Sequence, residues 1–322
     1  MDYLETTREF YKQAAETPDP GLCCTTSPVW ALPDLDVPPR MLEMNYGCGS
    51  TAHPRDLTGA PTVVYVGIGG GLELLQFAYF CRRPGGVIGI EPVGEMRAAA
   101  RANLAEAARR NSWFREEFVE LRAGDALSLP LADRCAGVTA QNCLFNIFQT
   151  GDLSRALGEI YRILQPQGRF VTSDPVAPCE LPAHLRNDVR LRAMCLSGSI
   201  TLDQYLAAMV AVGFGTLEVR ARRPYRVLDR ARYGVAQTIL LESVEVAAIK
   251  DPIPADGPCI FTGRTAIYFG PDGSFDDGAG HVLSTDAPLA VCDKTAAKLG
   301  QLGRDDLLVT EPTWFYDGGG CC

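Results

Sequence analysis

Between residues 61 and 220 the chain alternates short apolar runs with longer stretches of helical period. Residues 62–66 form a β-branched run that ends in glycines, and residues 71–80 read as an apolar-rich helix. A second strand covers 87–91. An Ala/Arg/Glu-rich helix then runs to about Arg110, with Pro92 at its first helical position. Further strands are predicted at 118–121, 137–141 and 169–173, with a helix over 153–164 before the last. Pro166 is placed to stop that helix and Gly168 to permit the reversal into the fifth strand. Strands and helices alternating in this way predict a mostly parallel sheet covered on both faces.

The flanks read differently. Tyr3, Phe10, Tyr11 and Ala14 share one helical face, so the chain opens with an amphipathic cap helix. Residues 17–60 are rich in Pro, Gly and Thr and hold Trp30, Met41, Met44 and Tyr46, which suits ordered loop and short helix. After residue 174, helices are expected near 185–195 and 202–212, then strands at 216–221 and 238–249 at the far edge of the sheet. Asn187, Asp188 and Arg190 read as helix surface. From residue 251 the composition shifts to Gly, Pro and Asp with short β-like pieces such as 265–269. The expected units are therefore 1–60, a cap helix with Cys-bearing loops, 61–250, and 251–322, a small extension ending in Gly-Gly-Gly-Cys-Cys.

A hydrophobic content of 47% in 322 residues supports a full core and argues against disorder. The net charge of −9 and the lack of a basic patch exclude a nucleic-acid partner. No apolar run approaches the ~20 residues that span a bilayer, and the polar N-terminus has no signal-peptide pattern. A cytoplasmic protein without a membrane partner is expected. There a disulfide framework is a poor explanation for twelve cysteines, and metal or metalloid binding, redox chemistry or catalysis explains them better. Cys81 and Cys135 read as plain core residues. His53, His184 and His281 have no ligand spacing.

The glycine run Gly67, Gly69, Gly70 and Gly71 follows a strand and opens a helix, where backbone must turn tightly and N–H groups face a ligand. Alone, it could serve a dinucleotide or be a tight turn. Glu91 ends the second strand, where a carboxylate can accept both ribose hydroxyls. Asp125 and Ala126 follow Gly124 beyond the third strand, and residues 161–169 form a helix–turn–strand signature. In that order these parts resemble class I S-adenosylmethionine-dependent methyltransferases over residues 61–220. The resemblance implies a Rossmann-like α/β fold, mostly parallel, with a small Cys-containing β-rich extension. It also implies S-adenosyl-L-methionine as cofactor, held by Gly67, Gly69, Gly71, Glu91, Asp125 and Ala126, with Asp125 on the adenine amino group. One departure is Tyr65, where that family usually carries an acidic residue, which leaves contact to the methionine end open.

Cys143 lies just past the fourth strand, beyond the carboxyl end of a sheet strand where ligands bind. Cys48 lies in the loop before the sheet and Cys195 in the insertion after the fifth strand. Each could be a buried loop cysteine. A zinc site is disfavoured because no close C-x-x-C pair exists. The segments around Tyr46-Gly47-Cys48-Gly49, Asn142-Cys143 with Asn146, and Cys195-Leu196-Ser197-Gly198 resemble arsenite methyltransferases, with Ser197 in place of a glycine and Leu74 where that family has a further cysteine. The resemblance implies that Cys48, Cys143 and Cys195 are the catalytic thiolates that bind arsenic(III) from arsenite or methylarsenite, since soft thiolates favour soft centres. It implies a thiol reductant, glutathione or of thioredoxin type. The pairs Cys23-Cys24 and Cys321-Cys322, with Cys259 and Cys292, resemble the arsenosugar-biosynthesis branch, whose product feeds a downstream radical enzyme. Methylation of an organic small molecule, or metalloid delivery without catalysis, are the competing functions.

Overall fold

The structure, a computed structural model, describes residues 2–19, 22, 31–316 and 318. Trp30 and the pairs Cys23-Cys24 and Cys321-Cys322 lie outside the described residues. The main sheet is built from β1 (Val63–Val66), β2 (Val87–Glu91), β3 (Val119–Ala123), β4 (Ala136–Asn142), β5 (Leu164–Val176), β6 (Thr216–Leu228), β7 (Ile239–Ile249) and β8 (Cys259–Phe261). Their order is β3-β2-β1-β4-β5-β7-β6-β8. The first five strands run parallel, and β7 alone is antiparallel to both its neighbours. The mostly parallel sheet expected from the alternation is what forms.

The helices are α1 (Tyr3–Glu16), α2 (Pro39–Glu43), α3 (Leu72–Cys81), α4 (Gly94–Arg110), α5 (Thr150–Ile163), α6 (Ala183–Arg186), α7 (Val189–Ala193), α8 (Leu202–Ala211), α9 (Arg230–Tyr233) and α10 (Asp293–Gln301). Side chains of β1 divide between the two faces, as a period of two demands. Val64 and Val66 pack with Leu157, Ile160 and Leu206 of α5 and α8, whereas Val63 and Tyr65 pack with Leu75, Phe77 and Leu104 of α3 and α4. Cys81 is buried at the end of α3 in that second core.

Several local expectations are corrected. Pro92 does not open α4: Val93 is its N-cap and Gly94 its first residue. Gly168 is not the residue that reverses the chain, because Gln167 takes the left-handed conformation, at φ 63°. Gly168 is needed for space, since a Cβ there would lie 2.8 Å from the Gln165 carbonyl oxygen. The helix expected over 185–195 is two short helices. Asp188 divides them by accepting the backbone N–H groups of Arg190 and Leu191, both at 2.9 Å, so it is an N-cap and not mere surface.

Beyond residue 250, β8 adds to the main sheet beside β6. The rest of that stretch forms β9 (Arg264–Tyr268), β10 (Ser274–Asp276), β11 (Val282–Ser284), β12 (Leu289–Val291) and β13 (Leu307–Val309) in two small antiparallel sheets. Helix α10 closes them over Ala266, Tyr268, Leu283 and Val291. Cys259 and Cys292 are buried together with Phe261 and Tyr316. Among the described residues no helix is long and apolar enough to cross a membrane.

Candidate functional site

The carboxyl ends of β1, β2 and β4 open into one cavity, lined by Gly67, Gly69, Glu91, Asp125, Ala126 and Cys143, with α1 across its mouth. The glycine loop is shaped for it. Gly67 and Gly71 adopt φ of 78° and 90°, which only glycine takes without strain. A Cβ on Gly70 would lie 2.6 Å from the Met44 side chain. Gly71 then caps α3 and, having no side chain, gives its first N–H groups no side-chain cap.

Glu91 is buried at the end of β2, and its carboxylate accepts the Val93 N–H at 2.9 Å. Burial pushes its pKa up to about 7, against which the Val93 and Ile68 N–H groups act. Asp125 is engaged by the cap helix: the Arg8 guanidinium donates to it at 2.7 Å, while its other oxygen accepts the Leu127 N–H at 2.9 Å. Ala126 is buried beside it. The loop, Glu91, Asp125 and Ala126 thus meet around one cavity, as a nucleoside cofactor would require.

Cys48, Cys143 and Cys195 come from segments 52 to 147 residues apart and belong to one buried cluster, with Tyr46, Met44 and Ile147. Small residues make that meeting possible. A Cβ on Gly47 would overlap Asn142, one on Gly49 would overlap Ser173, and one on Gly198 would overlap the backbone of Asn146. Asn146 in turn donates to Pro175 O at 2.6 Å and Ser199 Oγ at 3.1 Å, docking the Cys195 insertion onto the Cys143 turn. Asn142 accepts the Cys48 N–H at 2.9 Å. Cys143 and Cys195 both hold left-handed backbone, at φ 56° and 57°. Such strain persists where packing over-determines it, and it gathers at functional sites. Gln141 supports the first of these turns by accepting the Leu144 N–H at 2.8 Å, and its amide donates to Thr172 and Asp174.

Each thiol faces an oxygen. Cys48 Sγ lies 3.4 Å from Ser173 Oγ, Cys195 Sγ 2.5 Å from Cys143 O and 3.8 Å from the Tyr11 hydroxyl, and Cys143 Sγ 4.0 Å from the Tyr225 hydroxyl. Among the described residues no group of three or more His, Cys, Asp or Glu side chains is placed to hold a metal ion, so the three thiols share a buried cluster without forming a ready-made ligand set. Leu74 packs away from the thiols, in the core under α3 and α4.

Sequence reasoning missed Glu73, in the first turn of α3. Its carboxylate is buried and accepts Thr51 N at 3.0 Å, Thr51 Oγ1 at 2.7 Å, Asn142 Nδ2 at 3.3 Å and the hydroxyl of Tyr65. Burial raises its pKa. An acid at a helix start reads as a partner for the helix dipole, which hid it. The signal was the spacing: Tyr65, where an acid is usual, stands eight residues before it.

Residues 64–172 match the family model of a methyltransferase domain. The chain is 32% identical over 216 residues to the arsenite methyltransferase of Aquipseudomonas alcaligenes, covering 65% of this chain and 60% of that one. It is 29% identical over 177 residues to the arsenite methyltransferase of Halobacterium salinarum, covering 55% and 43%. The alignments thus span about three-fifths and two-fifths of those curated relatives. Among solved structures, an arsenic(III) S-adenosylmethionine methyltransferase from Chlamydomonas reinhardtii superposes with a TM-score of 0.57 at 21% identity, over 87% of this chain and 95% of that one. The sheet and its covering helices therefore form a methyltransferase fold.

Proposed function

We propose that this chain is an S-adenosylmethionine-dependent arsenite methyltransferase that binds arsenic(III) through Cys48, Cys143 and Cys195. The carrying observation is that Cys143 lines the glycine-loop cavity and shares a buried cluster with the other two thiols. Gly67, Gly69, Glu91, Asp125 and Ala126 line the cavity and would hold the cofactor, while Gly71 lies behind the lining and shapes the loop as the cap of α3; the glycine cradle and the buried Glu91 carboxylate suit a nucleoside with free ribose hydroxyls. The cofactor would supply the electrophilic methyl of its sulfonium.

The chain's own residues supply position. Each thiol must turn from its present oxygen partner to bind. Each As–S bond formed from arsenite consumes one thiol proton and releases one water. Three soft sulfur ligands suit a pyramidal trivalent centre with its lone pair exposed. Tyr11, Tyr46 and Met44 keep the cluster apolar, so water is excluded and orientation does most of the work. Regeneration of trivalent methylarsenic by glutathione or a thioredoxin-type thiol belongs to the same proposal. So do a cytoplasmic setting, which keeps the thiols reduced, and a place in arsenosugar formation upstream of a radical enzyme.

The test is to incubate reduced protein with arsenite, thiol and methyl-labelled S-adenosylmethionine, beside Cys143→Ser. Label in methylarsenicals from the wild type only is the expected result. No transfer by a folded, cofactor-binding wild type would overturn the proposal in favour of an organic acceptor.

A further inference from the structure

We propose that Glu73, positioned by Tyr65, receives the ammonium of the cofactor's amino-acid end. This rests on the cavity being the S-adenosylmethionine site. The usual place for an acid, at the end of β1, is taken by Tyr65, whose hydroxyl meets the Glu73 carboxylate across the mouth of the glycine loop. Both residues line the cavity, together with Gly67 and Asn142. The phenol ring spans the distance that a short acidic side chain at the strand end would leave open, and the carboxylate is moved from the strand to the first turn of α3.

The carboxylate's bonding points to a missing cation. Among the described residues its donors are Thr51, Tyr65 and Asn142, and none of these carries positive charge. These neutral donors offset part of the desolvation cost of the buried carboxylate, and burial still leaves its pKa raised. An arriving ammonium offsets that cost. Asn142 makes the longest of the bonds, at 3.3 Å, and also donates to Gly49 O at 2.9 Å, so it is the donor that gives way most easily. The position is also right for transfer. Asn142, which donates to Glu73, also accepts the Cys48 N–H at 2.9 Å and directly precedes Cys143. A ligand whose amino group sits at Glu73 has its amino-acid end beside the thiols, while Glu91 receives the nucleoside end beyond β2.

The test compares two ligands by titration calorimetry on the whole chain: S-adenosylhomocysteine, and 5′-methylthioadenosine, which lacks the amino acid. Glu73→Gln should weaken S-adenosylhomocysteine about tenfold or more, as expected when a charge-assisted bond is lost, and leave methylthioadenosine within about twofold. Tyr65→Phe should show the same selectivity with a smaller loss, and Glu73→Asp should restore most of the discrimination. Equal weakening of both ligands by Glu73→Gln and Glu73→Asp would overturn the assignment, because it would mean a damaged cavity. Unchanged binding of both would overturn it as well. A wild type that binds neither nucleoside would instead overturn the cofactor reading on which the assignment rests.

Discussion

Replacing Glu91 with glutamine should make the ligand-free protein more stable in alkali while weakening its hold on the cofactor. Glu91 is 7% exposed, and burial lifts its pKa from 4.5 to about 7. A carboxyl whose folded pKa is raised favours folding while protonated. That advantage is complete below 4.5 and is lost as pH climbs through about 7. At pH 8 the ionised side chain therefore costs the folded state about 3 kcal/mol relative to its own neutral form, from the size of that shift. Glutamine keeps the shape and an oxygen for the Val93 N–H but carries no charge at any pH. Thermal unfolding of wild type and Glu91→Gln at pH 5 and pH 8 measures the difference. The variant's advantage should grow by up to about 3 kcal/mol between the two, or about 6 °C at roughly 2 °C per kcal/mol. Calorimetry with S-adenosylhomocysteine at pH 8 should show binding weaker by about tenfold. In the wild type that binding should tighten as pH rises towards 7, because under the proposed function it is the ionised carboxylate that accepts from both ribose hydroxyls. Parallel stability differences at the two pH values would refute the reasoning, since they would mean that Glu91 does not titrate between them.

Asp56→Ala should lower stability by about 3–5 kcal/mol, read in denaturant. It strips the nearly buried Arg220 of bonds at 2.5 and 2.9 Å, leaving it to Glu218. Gly198→Ala should cost at least about 2 kcal/mol and weaken arsenite binding, measured by intrinsic fluorescence, because the new methyl collides with Asn146 and unseats Cys195. Arg8→Ala should change stability by less than about 1 kcal/mol, the range of an exposed pair. It should also tighten cofactor binding by up to about fivefold, since Asp125 is released from the guanidinium. Equilibrium titration distinguishes that from weakening, the outcome expected if Arg8 itself held the ligand.

The parts of this architecture that depend on near neighbours were legible in the sequence. The β-branched run of β1 followed by glycines announced a strand and a tight loop, and Glu91 stood at a strand end that apolar pattern alone could place. What was not legible depends on meetings between distant segments. Nothing in residues 195–198 states that Gly198 must lie flat against Asn146, 52 positions earlier, yet that contact seats Cys195 beside the Cys143 turn. The left-handed Gln167 was missed because Gly168 looked like the residue suited to it, and the backbone used glycine for clearance instead. Glu73 was missed because its donors come from three separate segments, at Thr51, Tyr65 and Asn142.

Helix α1 carries Arg8 and Tyr11 one turn apart, so they share a face. The first grips Asp125 and the second lies 3.8 Å from the Cys195 sulfur, while the Tyr46 hydroxyl ties the helix end through Ala14 O. One rigid element is thus fastened at both ends of the cavity. A molecule that takes Asp125 from Arg8 alters the footing of Tyr11, and a centre bound at Cys195 alters that of Arg8. Under the proposed function, donor and acceptor then act as each other's effectors through this helix as well as through the methyl on which they meet. By thermodynamic linkage, whatever factor the first contributes to the affinity of the second is returned unchanged in the opposite direction.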